Sequence, residues 1–281
     1  MPLLSSSTLR VTGWLSAILG VTLLGVACLG QWTSFGDGVS DVKRDWEQFE
    51  PGLVTQVQDY AALVKAVDAQ MAGQPQTDAA KMKVMYDLII NRFTHDEALH
   101  SLGSNWILYL AGFVHPTFRH MWDPGRMVSQ GYSLFCDQSS YLLLHLANAH
   151  GIKARHVGLQ GHVVMEAWYD NDWHLYDPDL EVIPLNEAGE VLSLDELAQD
   201  ETLLAKYYGK HPGGMTGLIR NRANHLTMST PEGARFEWKG NLLALVEKAA
   251  EVLKFGLPLL MIAGGVWLLR YSGRGGPAAR A

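Results

Sequence analysis

The chain has 281 residues, 48% of them hydrophobic and 18% charged, with 29 acids against 22 lysines and arginines and a formal charge of −7. This is ordinary for a folded protein and long enough for one sizeable domain plus further segments; there is no internal repeat and no low-complexity tract. The acidic balance argues against nucleic acid or an anionic lipid surface as the partner.

Taken in chain order, residues 11–36 ("VTGWLSAILGVTLLGVACLGQWTSFG") carry no charge, and a bilayer needs only about 20 apolar residues. A membrane anchor is the reading, with a cleaved signal peptide as its rival. "GVAC" ending at Cys28 has some likeness to a lipobox, but Gly25 stands where a large aliphatic is expected. Near the other end, Phe255–Leu269 ("FGLPLLMIAGGVWLL") is uncharged but 15 residues long. It spans if Val252, Leu253 and a snorkelling Lys254 join it, or if the bilayer thins. The tails carry Arg10 at one end and Arg270, Arg274 and Arg280 at the other, with no acid, so the positive-inside rule puts both in the cytoplasm. With those four arginines removed, the middle holds 18 basic residues against all 29 acids, a formal charge of −11. Ser16 and Gly20 form a small-residue pair in the first span that could pack against Gly264 or Gly265 of the second.

Between the spans, "DVKRDWEQFEPG" reads as a linker and "LVTQVQDYAALVKAVDAQMAG" as an amphipathic helix. "AAKMKVMYDLIINRF" is a second helix with Met82, Met85, Leu88 and Ile89 on one face. "SNWILYLAGFVHP" is too short to span and reads as core. "DQSSYLLLHLANAHG" has the spacing of a buried helix, ended by Gly151. Three short strands follow, "ARHVGL", "HVVMEAWY" and "WHLYDPD", the last two joined by Asp170-Asn171-Asp172. "SLDELAQDETLLAKYYG" opens with a capping box of Ser193 and Glu196 and closes at Gly209. "NLLALVEKAAEVLK" is an amphipathic helix that runs into the second span. One helix followed by antiparallel strands is an α+β arrangement.

Cys136 sits at the mouth of the buried helix, where unpaired backbone N–H groups favour a thiolate. Alone, it would be read as a small buried hydrophobe. A thiolate needs a proton acceptor, and His162 opens the second strand, sharing a face with Val164, Glu166 and Trp168. Asp177 ends the hairpin-partner strand and could fix the imidazole tautomer. Glu166 on its own reads as a strand residue satisfied by a hydrogen bond, and Arg155 as a salt bridge at the core edge.

The run Gly131–Asp179 ("GYSLFCDQSSYLLLHLANAHGIKARHVGLQGHVVMEAWYDNDWHLYDPD") resembles the core of the transglutaminase-like superfamily. A cysteine opens a helix that "HGIKAR" closes, "GHVVMEAW" bears a histidine and "WHLYDPD" bears an aspartate. The resemblance implies a papain-like α+β core, a nucleophile helix packed on an antiparallel sheet, here between two transmembrane helices. It implies Cys136 as nucleophile, His162 as general base and Asp177 as orienting acid. The "LF" before Cys136 replaces the small residue of many members, so the oxyanion loop differs. The backbone N–H of Cys136 is then the first oxyanion donor, with Gln130, Tyr132, Asn105, Trp106 and, behind them, Glu166 as candidates for support. Arylamine acetyltransferases share the Cys-His-Asp order, but the Arg-Gly-Gly run expected before their cysteine is absent. Trp106, Trp122, Trp168 and Trp173 could line a water-excluding site.

The expected segments are a cytoplasmic tail at 1–10, a transmembrane helix at 11–33, a linker and amphipathic helix at 34–76 and an extracytoplasmic catalytic domain at 77–240. A juxtamembrane helix at 241–252, a second span at 253–270 and a basic cytoplasmic tail at 271–281 complete the chain. The expected function is thiol acyl transfer on an envelope peptide, protein or polymer, by hydrolysis or amide formation. A silent scaffold in a membrane assembly is the alternative. No cofactor or metal is expected. His95/His100, His115/His120 and His145/His150 are each five apart, off a common helix face. Calcium at Asp170-Asn171-Asp172 is possible, but turn formers explain those residues without an ion.

Overall fold

The computed structural model describes residues 5–31, 44–211 and 213–274. The expected linker up to residue 43 and the basic tail from 275, including Arg280, lie outside the described residues. The chain forms two compact units.

One unit comprises residues 39–98 and 121–244. Its first helices are α2 (Pro51–Gln56), α3 (Tyr60–Met71) and α4 (Asp78–Arg92). The single helix expected over 53–73 is thus two, because Asp59 starts a new one: its Oδ1 accepts the Ala62 N–H at 2.7 Å. Thr77 caps α4 in the same way at 3.2 Å. Met82, Met85, Leu88 and Ile89 all lie in the core, as the helical spacing predicted. A parallel pair, β1 (Thr94–His95) and β2 (Ser133–Leu134), flanks α6 (Pro124–Gln130). The helix that Cys136 opens is α7 (Cys136–Ala149), closed by Gly151 at φ 79°.

The antiparallel sheet has the order β3 (Lys153–Gly158), β4 (Val163–Tyr169) and β5 (Asp172–Tyr176). Its two hairpin turns need left-handed backbone. Gln160 and Gly161 (φ 54° and 146°) make the first, and Asp170 and Asn171 (φ 50° and 64°) the second. That conformation accounts for the acidic turn residues without an ion.

Period-two alternation splits the sheet between two apolar layers. Met165, Ala167, Tyr169 and Tyr176 join α4 and α7 in one cluster. Val157, Val164 and Leu175 join Leu194, Leu197, Leu204, Tyr208 and Ile219 in the other. The second layer comes from α8 (Leu194–Leu197), α9 (Glu201–Tyr208) and α10 (Met215–Arg220). Ser193 and Glu196 form the expected capping box. Asp200 then caps a separate α9 rather than continuing one helix to Gly209. The first part of α11 (Pro231–Arg274) closes this unit, with Asn241 Oδ1 accepting the Tyr141 hydroxyl at 2.8 Å.

The other unit comprises α1 (Ser6–Leu29), residues 99–120 with α5 (Trp106–Ala111), and residues 245–274 of α11. The domain expected over 77–240 is therefore interrupted by 99–120. The segment read as core buries Trp106 and Leu108 and presents Leu110, Phe113 and Val114 to the surface, at 48%, 74% and 86% exposure. α1 and α11 are each long and apolar enough to cross a membrane. At 1.5 Å per residue α1 is about 36 Å long, against a hydrocarbon core of about 30 Å.

Lys254 corrects the snorkelling expectation. It is fully buried; its Nζ lies 2.8 Å from Glu251 Oε2 and donates to the Ser104 carbonyl at 2.7 Å. Asn105 Nδ2 donates to the other Glu251 oxygen at 2.9 Å. Pro258 has no N–H to offer the Lys254 carbonyl one turn back. Trp106 Nε1 donates to that carbonyl instead, at 3.0 Å.

Small residues bring α1 and α11 together. Ser16 Oγ donates to the Met261 carbonyl at 2.8 Å. A Cβ at Gly20 would stand 2.7 Å from the Pro258 carbonyl oxygen, and one at Gly265 would stand 2.6 Å from the Gly13 carbonyl oxygen. Gly265, not Gly264, is the close residue, and Gly13 joins the expected Ser16 and Gly20. Gly20→Leu should therefore part the helices. A disulfide formed readily between Ser16→Cys and Met261→Cys, with the native cysteines replaced, should fall at least about tenfold in yield, since small interfacial residues are what permit close approach.

Candidate active site

Cys136 is the first residue of α7 and is 6% exposed. The loop that delivers it is held by Gln138, two residues into the helix. Gln138 Oε1 accepts the N–H groups of Phe135 (3.2 Å) and Ala98 (2.9 Å), and Nε2 donates to the carbonyls of Ala98 and Met121 (2.9 Å each). Every hydrogen-bonding position of this buried amide is used. Gln138→Ala would strand several buried backbone groups at about 1–3 kcal/mol each before relaxation. A large drop in thermal midpoint, with faster proteolysis of the 95–136 region, is the expected result.

His162 follows the β3–β4 turn, whose Leu159 N–H donates to the His162 carbonyl at 2.8 Å. Its ring meets Asp177 Oδ2 together with Tyr208, a residue of the layer that Val164 joins, which fits the sheet face expected of it. Val164 and Glu166, which share its alternation, point to the layer away from α7. His162 stands one residue ahead of β4, directly after the turn, and its ring lies near Cys136. Its Nε2 is 2.8 Å from Asp177 Oδ2, and its ring also lies within 4.8 Å of the Cys136 thiol. With Nε2 taken by the carboxylate, Nδ1 is the nitrogen left for sulfur.

Asp177 follows β5 directly and is completely buried. Tyr208 Oη donates to its Oδ2 at 3.1 Å and the Leu180 N–H to its Oδ1 at 3.1 Å. Reciprocal backbone bonds with Val182, at 3.0 and 2.9 Å, fix its main chain. The carboxylate is thus fully paired and held against the imidazole.

A second carboxylate enters from two residues further on. Asp179 is 5% exposed, its Oδ2 lies 3.8 Å from His162 Nδ1, and its Oδ1 lies 2.6 Å from His95 Nδ1. Trp46 and Phe135 pack edge-on against His95, and Trp46 meets His211 on its other side. Phe135 is 43% exposed, so the rim of the site is aromatic.

The charges push in opposite directions. Burial pushes the Cys136 thiol up, and the His162 hydrogen bond pulls it back without cancelling that rise. Burial alone would lower His162, but the Asp177 charge and hydrogen bond outweigh it, and His162 ends well above the ordinary imidazole range. Burial also raises Asp179, against the pull of His95, while His95 is raised because its Asp179 contacts overcome its own burial. The resting pair therefore holds both protons near neutral pH. The helix N-terminus favours a thiolate, but desolvation of the buried thiol is the larger effect.

The remaining candidates fall elsewhere. Tyr132 packs on Phe49, and its carbonyl accepts the Thr94 N–H. Gln130 ends α6. Asn105 and Trp106 belong to the unit of the long apolar helices, where Glu251 and the Lys254 carbonyl engage them. Glu166 takes Arg155 at 2.8 and 2.6 Å and the Leu194 N–H at 3.0 Å, so its carboxylate serves the far layer. Trp168 and Trp173 pair with each other across the β4–β5 hairpin, and Trp122 packs on Tyr141 and Phe236. Asp179, His95, Gln138 and Tyr208 were missed. Only the repeated acid of "DPD" gave a signal in sequence.

Neither protein-family models nor curated proteins give a match to this chain. A solved crystal structure of a TGase is similar over 41% of this chain and 30% of that one, at 19% identity and a TM-score of 0.29.

Proposed function

We propose that this protein is a membrane-anchored, extracytoplasmic thiol acyl-transfer enzyme of transglutaminase-like type, with Cys136 as nucleophile, His162 as base and Asp177 as orienting acid. The observation that carries this reading is His162 set between Cys136 and the fully paired Asp177. Cys136 Sγ attacks an amide or ester carbonyl, and the C–N or C–O bond breaks as His162 protonates the leaving group. The resulting thioester is released when water or an amine attacks its carbonyl and sulfur leaves, with His162 taking the proton from the attacking group. Asp177 holds the ring and steadies the imidazolium.

The substrate we infer is a peptide, protein or polymer of the cell envelope. This rests on two apolar helices long enough to span and on tails that carry arginine and no acid. Envelope fractions from cells producing the wild type and Cys136→Ala test it. A change in amide or polymer content, reproduced by His162→Ala, is expected; identical fractions would count against the reading. One observation favours a silent scaffold instead: burial holds the Cys136 thiol above its ordinary range.

A further inference from the structure

We infer that Cys136, His162 and Asp179 form a divalent-cation site, best suited to zinc, that masks the nucleophile when occupied. The donor atoms of these three buried residues all lie within 4.8 Å of one another. Asp179 is the informative member. It is not the carboxylate that holds His162 Nε2, yet it is buried and its Oδ2 stands 3.8 Å from the opposite nitrogen.

Thiolate, imidazole and carboxylate are zinc donors, with bond lengths of about 2.3, 2.0–2.1 and 2.0–2.2 Å, so tetrahedral donors sit about 3.3–3.6 Å apart. The His162–Asp179 pair is already near that spacing, and closing the rest requires a movement of at most about 1 Å by the short Cys136 side chain. Three protein donors leave a fourth position open, as in zinc sites that keep a water.

The surroundings supply what such ligands need. A metal-bound imidazole usually gives its other nitrogen to a carboxylate, and a metal-bound carboxylate is itself hydrogen-bonded. His162 Nε2 is held by Asp177 at 2.8 Å, and Tyr208 and the Leu180 N–H anchor that carboxylate. Asp179 Oδ1 meets His95 Nδ1 at 2.6 Å, which leaves Oδ2 for the ion. The site draws on the mouth of α7, the β3–β4 turn and the loop after β5.

An ion here ties up the attacking sulfur and the nitrogen that would take its proton, so removing the ion would unmask the site. The inference shares two residues with the acyl-transfer reading but does not need turnover. Its test uses the full chain in detergent with Cys28→Ala, titrated with Co²⁺ and read by thiolate-to-cobalt charge-transfer absorption. One equivalent should produce the band and Zn²⁺ should quench it. Cys136→Ala should lose the band, Asp179→Asn should weaken binding at least about tenfold, and Asp179→Glu should restore most of it. No band in the wild type, or Asp179→Asn binding as tightly as wild type, overturns the inference. Circular dichroism identifies a variant that has not folded, and Asp179→Glu then decides. Alkylation of Cys136 under EDTA reports the acyl-transfer reading separately, so either can fail alone.

Discussion

His162→Ala is expected to lower acyl transfer by about 10³-fold or more, since proton transfer by a positioned base contributes about 10²–10⁴-fold and the proposed mechanism uses this histidine in both halves of the reaction. It should also slow alkylation of Cys136 by a neutral haloacetamide by at least about tenfold at pH 8, where one unit of thiol pKa is a factor of ten. The sign follows from the site. Burial raises the Cys136 thiol and the His162 hydrogen bond lowers it, so deleting His162 removes the opposing influence and the thiol rises further. In the wild type, His162 is itself held well above the ordinary imidazole range by Asp177. With both groups protonated near neutrality, the competent pair forms as the site loses its first proton, and that step belongs to the pair jointly. Activity and alkylation should both climb through the alkaline range. A plateau well below pH 8.5 would mean a preformed thiolate and would contradict this balance.

Lys254→Ala carries the second large effect. Removing one partner of a buried ion pair costs about 3–5 kcal/mol, because the other charge is left without compensation. Here Glu251, 9% exposed and hydrogen-bonded by Asn105, would lose its lysine, and the Ser104 carbonyl would lose its donor. Thermal unfolding in detergent should show a markedly lower midpoint. The double variant Lys254→Met with Glu251→Gln should recover much of the loss, because neither charge then remains. If the single variant unfolds like the wild type, the buried pair has no structural weight.

How much of this was legible in the sequence differs by residue. α4, α7 and the three-stranded sheet were legible because helical spacing, a terminal glycine and period-two runs are local signals. Cys136, His162 and Asp177 were legible because the spacing of one helix and two strands encodes them. The left-handed turn at Gln160-Gly161 that precedes His162 was not, since no turn dipeptide marks it in the sequence. Gln138 and Tyr208 act through long-range bonds to Ala98, Met121 and Asp177, which no local pattern records. Lys254 misled because a lysine beside an apolar run usually snorkels. Its partner Glu251 lies one turn away, but the Ser104 carbonyl that completes its burial is 150 residues distant.

The most direct measurement is a search for an acyl adduct on Cys136. The detergent-purified chain, metal-free and with Cys28→Ala, would be incubated with envelope material at mildly alkaline pH, and its cysteine peptide analysed by mass spectrometry. The account predicts a hydroxylamine-labile thioester on Cys136 that is absent in His162→Ala and scarce in Asp177→Asn. A Cys136 that alkylates readily yet never carries a thioester, or an adduct equally abundant without His162, would contradict it.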